Sequence, residues 1–401
     1  MFQRSCLMGV KRAAIAGAGV AGLGCAALLA ARGWRVTLFD KMPAPAPIGS
    51  GLILQPVGLH VLDAIGAGER IRELGAPIVR LYGKTVPSQR VVLDVRYDAL
   101  GPRAPTGVAV HRGALFQVLH EAALAAGAEI EAGREIAACD VEQLSAQFDL
   151  VIDALGMRSP LSKLLQQNLP FGALWASLNF VGGFDAAALE QRYEAARKMV
   201  GVLPIGRLRG GANKQGAFFW SLKHADYATW RAAPLDAWKD DVRALWPETE
   251  PLLAQISAHE DLVFAAYAHR TMRTPVTRRV AHVGDSWHCT SPQLGQGANM
   301  ALLDALALAI ALERQSDLDL ALAEYARLRL WHIRLYQAAS WMFTPAYQSD
   351  SAALAFVRDQ IMAPLSQLWP APPLLAALVA GQLGAPLAAM GVRVALGEDA
   401  A

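Results

Sequence analysis

Cysteine is scarce in this chain of 401 residues: Cys6, Cys25, Cys139 and Cys289 are widely spaced and form no CxxC pair. That spacing excludes a disulfide framework and a cysteine metal cluster, and it points to a reducing, cytoplasmic setting. An excess of charge of one sign is also missing. Lys and Arg total 37 against 35 Asp and Glu, giving a formal net charge of +2 with no long basic run. The chain therefore lacks the electrostatic footprint of a nucleic-acid binder, and no nucleic-acid partner is expected. Although 54% of the residues are hydrophobic, glycine, proline or charge interrupts every long apolar run. No segment reads as a transmembrane helix, and MFQRSCLMGV does not read as a signal peptide. At this length more than one domain is expected.

What the chain does have is glycine at telling positions. The stretch RAAIAGAGVAGLGCAALLAARGWRVTLFDK, residues 12–41, reads as strand, tight turn, helix and second strand, one dinucleotide-binding βαβ unit. Gly17 suits the tight turn, Gly19 lets a pyrophosphate approach the backbone, and Gly22 permits close packing of helix on strand. Val20 and Ala21 open the helix. Asp40, at the end of the second strand, suits ribose hydroxyls, and Lys41 follows it.

The stretch GDSWHCTSPQLGQGANMALLDALALA, from Gly284 to Ala309, joins an acidic turn, a glycine-rich loop and an apolar helix. Asp285 can accept hydrogen bonds from a polyol, while Pro292, Gly295 and Gly297 shape a loop whose N–H groups can approach a flat ligand. The helix opening near Ala298 aims its positive end at that ligand.

This second stretch resembles the GD motif of the p-hydroxybenzoate hydroxylase-like, class A flavoprotein monooxygenases, matching at Gly284, Asp285, Pro292, Gly295, Gln296, Gly297 and Asn299. Three further segments are similar to that family. GLILQPVGLHVLDAIG matches at Gly51, Pro56, Leu59, Leu62 and Gly66, with Val57 where asparagine is common. Arg112 opens a helix as in the family's HRxxL segment. FDLVIDALGMRSPLSKLL matches the DLVVGADGxxSxxR signature at Asp149, Gly156, Ser159 and Lys163, but Leu155 stands where the family has aspartate.

The resemblance implies an α/β fold: a Rossmann-like FAD-binding domain (10–75, 101–165 and 270–345), a β-sheet substrate domain (76–100 and 166–269) and a helical C-terminal region (346–401). It implies FAD, NADH or NADPH as reductant, and dioxygen. It also implies oxygenation of an aromatic or lipophilic small molecule through a flavin C4a-hydroperoxide. Arg112 and Gly156 thereby join the candidate cofactor residues. The missing carboxylate at Leu155 puts the usual use of NAD(P)H in question, and Asp153, on the same strand face, is its candidate substitute. A reductase or oxidase without oxygen insertion, or a non-catalytic flavin-binding protein, stays open as an alternative. The WxWxIP segment of flavin halogenases is absent.

On the substrate side, alternation from Pro77 to Tyr97 predicts antiparallel strands. WASLNFVGG, GVLPIG and GAFFWSL predict further strands, separated by helical stretches such as AAALEQRYEAARKM. Trp175, Phe218, Phe219 and Trp220 are candidates for an apolar pocket wall. His224, Tyr267 and His269 are candidate bases, whereas His288 reads as a packing residue of the turn and Cys289 as a small buried one. WHIRLYQAASWMFTPAYQ predicts a helix ending before Pro345. The proline-punctuated, apolar end of the chain can pack on the body, make a dimer contact or touch a membrane surface, with monomer and homodimer both open.

Overall fold

A computed structural model describes residues 10–43, 50–162, 165–277 and 279–392. Lys163 and Cys6 lie outside them. Arg12–Ala16 forms the central strand of a six-stranded sheet, with Arg35–Asp40 and Leu150–Asp153 parallel on its two sides. Glu129–Ala132 lies outside Arg35–Asp40, and Val280–His282 outside Leu150–Asp153, both parallel. Strand burial is nearly continuous, as expected where helices cover a parallel sheet. Helices Val20–Ala30 and Gly297–Arg314 pack on each other, and their Leu23, Leu28, Leu302 and Leu306 belong to the largest hydrophobic core.

The second layer is an eight-stranded, mostly antiparallel sheet. Its strand order is His288–Cys289, Val263–Thr271, Leu165–Asn179, Gln215–Lys223, Lys198–Pro204, Ala188–Glu194, Arg80–Thr85 and Val91–Arg96. The Arg80–Thr85 and Val91–Arg96 pair is antiparallel, as the alternation predicts. A small sheet of Gly51–Leu54, Gly107–His111 and Ala76–Ile78 stands between the two larger ones in sequence and contact.

Two expectations about elements fail. AAALEQRYEAARKM is not helical: Ala188–Glu194 and Lys198–Met199 are strand, joined by a turn in which Ala195 adopts φ of 50°. Its helix-favouring residues are overruled because pairing with Arg80–Thr85 on one side and Lys198–Pro204 on the other completes the sheet. The long helix Leu318–Tyr347 also runs through Pro345 instead of stopping before it. Proline removes one donor there, but Thr344 and Ala346 are buried and Tyr347 Oη donates to the Val92 carbonyl at 3.0 Å, so packing carries the last turn.

Candidate functional site

Between the two large sheets runs a cleft of about 2160 Å³, well above the 300–1,000 Å³ of an ordinary ligand pocket. Gly17 turns the chain at the end of the central strand with φ of +102°, and a Cβ there would stand 2.5 Å from the Ala154 carbonyl oxygen. Glycine is required by both the conformation and the contact. A Cβ on Gly19 would meet nothing within 4 Å, so the backbone at the start of the Val20–Ala30 helix is open to the cleft. The helix N-terminus thus faces the space with unpaired N–H groups and its positive dipole end. Gly295, at φ of +61°, and Gly297 repeat the arrangement at the start of Gly297–Arg314.

Of the residues proposed from sequence, Gly17, Gly19, Val20, Ala21, Asp40, Lys41, Arg112, Gly156, Asp285, Pro292, Gly295, Gly297 and Ala298 all line this cleft. Two do not. Gly22 lies behind the wall, where a Cβ would come within 1.9 Å of the Gly17 carbonyl oxygen, so its task is packing. Asn299 is fully buried. Its Oδ1 accepts from the Gln55 backbone N–H at 2.7 Å, and its Nδ2 donates to the carbonyls of Ile53 and Gly295 at 3.1 and 3.0 Å. It fixes the glycine loop against the neighbouring strand, and no polar atom is left for a ligand. Asp40 accepts from the backbone N–H groups of Ala18 and Met42 at 2.7 and 2.8 Å, which sets its carboxylate on the rim of the turn. Lys41 pairs with Glu135 at 3.8 Å on the outer edge.

Asp285 is exposed to the open cleft, with protein dense around it. Desolvation raises its carboxyl pKa, while His288 and Arg112 pull it down and Asp304 adds to the rise. Asp153 cannot stand in for the carboxylate missing at Leu155. It is wholly buried, accepting from Ser159 Oγ at 2.7 Å and the Leu155 N–H at 3.1 Å and pairing with His282 Nδ1 at 2.8 Å. Leu155 itself faces the cleft.

His288 is structural. Its Nε2 lies 2.6 Å from Asp304, which also accepts from the Gly284 N–H at 2.8 Å and Arg329 Nε at 2.7 Å. All four groups are buried. Burial alone would raise the Asp304 pKa, but His288 and Arg329 outweigh it and hold the carboxyl below the usual range. Arg329 continues to His332 Nδ1 at 3.0 Å, whose Nε2 meets the Gly381 carbonyl at 3.2 Å. Burial, then the Arg329 charge, lowers the His332 pKa to about 3, so the ring is neutral. This chain ties the GD turn to the C-terminal helices. Sequence reading missed it because Asp304 and Arg329 look like ordinary helix residues.

On the opposite wall, Trp175 and Phe219 lie with ring centroids 4.7 Å apart, and the Trp175 indole N–H donates to Tyr267 Oη at 3.0 Å. Phe218 and Trp220, proposed beside them, point through the sheet into a second core with Trp238, because neighbouring residues of a strand face opposite sides. Tyr267 lines the cleft; His224 packs on Phe264 and His269 lines a smaller recess. Burial pushes the Tyr267 phenol well above its usual value, so it keeps its proton and has it to donate into the cleft rather than serving as a base. Cys289 also lines the cleft, with burial and then Asp285 raising its thiol pKa, which leaves it unreactive.

Gln55 is a residue that sequence reading passed over. It accepts from Tyr97 Oη, while its buried Nε2 has no partner in the protein and lies beside Gly295 on the cleft wall. An orphan donor, two open helix N-termini and two glycine turns suit a dinucleotide carrying a flat polar ring. The fold and this wall define a dinucleotide-dependent oxidoreductase.

The comparisons agree. The family described as "FAD binding domain" matches residues 11–158. Aurachin C monooxygenase/isomerase of Stigmatella aurantiaca is 25% identical over 384 residues, covering 88% of this chain and 94% of that protein. A 2-heptyl-3-hydroxy-4(1H)-quinolone synthase of Mycobacteroides abscessus is 28% identical over 340 residues, covering 78% and 84%. Among solved structures, 2-methyl-3-hydroxypyridine-5-carboxylic acid oxygenase in its tetrameric form superposes with a TM-score of 0.75 at 21% identity, covering 94% and 98%. Residues 11–158 thus form an FAD-binding domain, and the chain is similar along most of its length to FAD-dependent monooxygenases.

Proposed function

We propose that the chain oxygenates a neutral, lipophilic aromatic molecule, with NADH or NADPH as the electron source. One observation supports the substrate class. Among the described residues, the cleft wall formed by the eight-stranded sheet carries no lysine or arginine, and its two carboxylates are engaged elsewhere. Asp94 pairs with Arg80, and Asp261 accepts from the backbone of Ser257 and Ala258. Arg358 is held over the rings of Tyr193 and Tyr347. A carboxylate resting on this wall would find no counter-ion there, at a large desolvation cost. The relatives' names include both classes, a quinolone ring with a heptyl chain and carboxylates such as an aminohydroxybenzoate, and the uncharged wall favours the first.

FAD, when bound, supplies hydride acceptance from the nicotinamide and reaction with dioxygen. Gly17, Gly19 and the first turn at Val20 would hold its pyrophosphate, Asp40 its ribose, and Gln55 with the Gly295–Ala298 backbone its ring. The helix dipole at Gly297 favours negative charge on that ring. Trp175 and Phe219 provide an apolar face for an aromatic substrate, and the Tyr267 hydroxyl, oriented by the Trp175 N–H, is the donor that fixes it.

The test is a panel of neutral alkyl-substituted heteroaromatics against benzoates of equal ring size, read as oxygenated product by mass spectrometry per nicotinamide oxidised. Coupled turnover is expected only for the neutral compounds. Efficient oxygenation of a benzoate, with none of the neutral compounds converted, sinks the proposal.

A further inference from the structure

We propose that the C-terminal helices dock on the surface of a lipid bilayer and form the entrance through which a neutral amphiphile passes into the cleft; this rests on the substrate class just proposed. From Gln360 to Val392 the chain has no ionisable side chain at all. Ala352–Val357, Arg358–Met362 and Ala363–Leu365 form one continuous helical run. Leu354, Val357, Ile361 and Leu365 recur along it at helical spacing and are exposed, and Leu368 and Trp369 extend the stripe at 60% and 86% exposure. Its opposite face, with Ala355, Arg358 and Ala363, is already buried against the body. The only charge on this stretch, at Arg358 and Asp359, is an internal pair at 2.7 Å. A helix apolar on both faces needs cover on both, and a contiguous patch of this kind marks an interaction surface.

The patch is continuous with the cleft. Leu365 and Leu374 are both in the exposed set and on the cleft wall, with Met362, Leu375 and Leu378 on the wall beside them. Patch and cleft therefore share an apolar rim. A second copy seated on the same surface would cover that rim and block entry, whereas a bilayer would supply a lipophilic ligand directly to it. Among the described residues no helix is long and apolar enough to cross a membrane. The contact is therefore interfacial, with the Trp369 indole at the headgroup boundary and leucines reaching the acyl region. Because the patch is uncharged, binding should depend little on lipid charge or salt.

The experiment is flotation of the full-length, FAD-loaded protein with phosphatidylcholine vesicles and with vesicles containing phosphatidylglycerol, at low and high salt. Light scattering in parallel gives the oligomeric state. The protein should float with both vesicle types at both salt concentrations. Leu368→Glu combined with Trp369→Glu should lower the bound fraction at least about tenfold, since it replaces buried apolar area with charge, while Trp369→Phe keeps binding. Neither residue lines the cleft, so FAD content and reduction by nicotinamide should be unchanged, which also certifies the fold. Absence of flotation, flotation unaffected by the double substitution, or a lipid-independent dimer broken by it would each overturn the proposal. Flotation is read without substrate, so its outcome is independent of the substrate panel.

Discussion

Replacing Asp304 with Asn leaves the Arg329 guanidinium fully buried beside a neutral amide whose single oxygen can serve Gly284 N–H and His288 or Arg329, but not all three. Removing one partner of a buried ion pair costs about 3–5 kcal/mol, because the surviving charge has lost both water and counter-ion. Arg329→Met should cost a similar amount, leaving Asp304 with only His288 and the Gly284 N–H. If the two act as one unit, the double variant should fall well short of the sum of about 6–10 kcal/mol, with a coupling of at least about 2 kcal/mol. Urea unfolding followed separately by flavin release and tryptophan fluorescence measures the cycle and shows whether both report one transition. Single costs under about 1 kcal/mol, or additivity within about 0.5 kcal/mol, would falsify the view that this pair anchors the GD turn.

Four other outcomes are expected. His332 has a folded pKa of about 3 against an ordinary 6.5, so the unfolded chain binds the extra proton and stability falls as pH drops below 6.5 towards 3. His332→Gln should flatten that part of the pH–stability curve in chemical denaturation. Gly17→Ala should destabilise even the FAD-free protein through its clash with Ala154, whereas Gly19→Ala, with open space around it, should leave FAD-free stability intact and lower flavin content. Tyr267→Phe should lower kcat/KM for product formation by about 1–3 kcal/mol, the cost of an unmet polar contact, without slowing anaerobic flavin reduction. Leu155→Asp, which puts a carboxylate on the cleft wall, should change the rate of reduction by NADH or NADPH while flavin content stays constant.

The cofactor wall was legible in sequence because backbone geometry dictates it. Gly17, Gly19, Gly295 and Gly297 stand where side chains would be strained or would fill the cleft, and such positions read directly as glycine in a fixed order. Asn299 was misread because its signal is equally strong for a strut as for a ligand contact. The substrate wall was half legible: period-two alternation tells that Phe218 and Phe219 face opposite ways but not which faces the cleft. The Ala188–Glu194 strand was illegible, since its residues favour helix and only its two neighbours make it a strand. The Asp304–Arg329–His332 chain is anchored at its two ends by contacts across 25 and 49 residues, beyond any local pattern.

The strand order of the parallel sheet bears on how the protein is made. Its first strand to leave the ribosome, Arg12–Ala16, sits at the centre, but its neighbour Leu150–Asp153 and then Val280–His282 are added much later. The Gly297–Arg314 helix that covers Val20–Ala30 comes later still. Until that helix has emerged, Val20–Ala30 has the cover of Arg112–Ala125 but not of Gly297–Arg314, and the nascent chain presents the remaining apolar surface to whatever lies nearby. The cofactor cradle is therefore completed only near the end of synthesis, and a chain cut before the GD turn retains the glycine fingerprint without the wall that makes it a binding site.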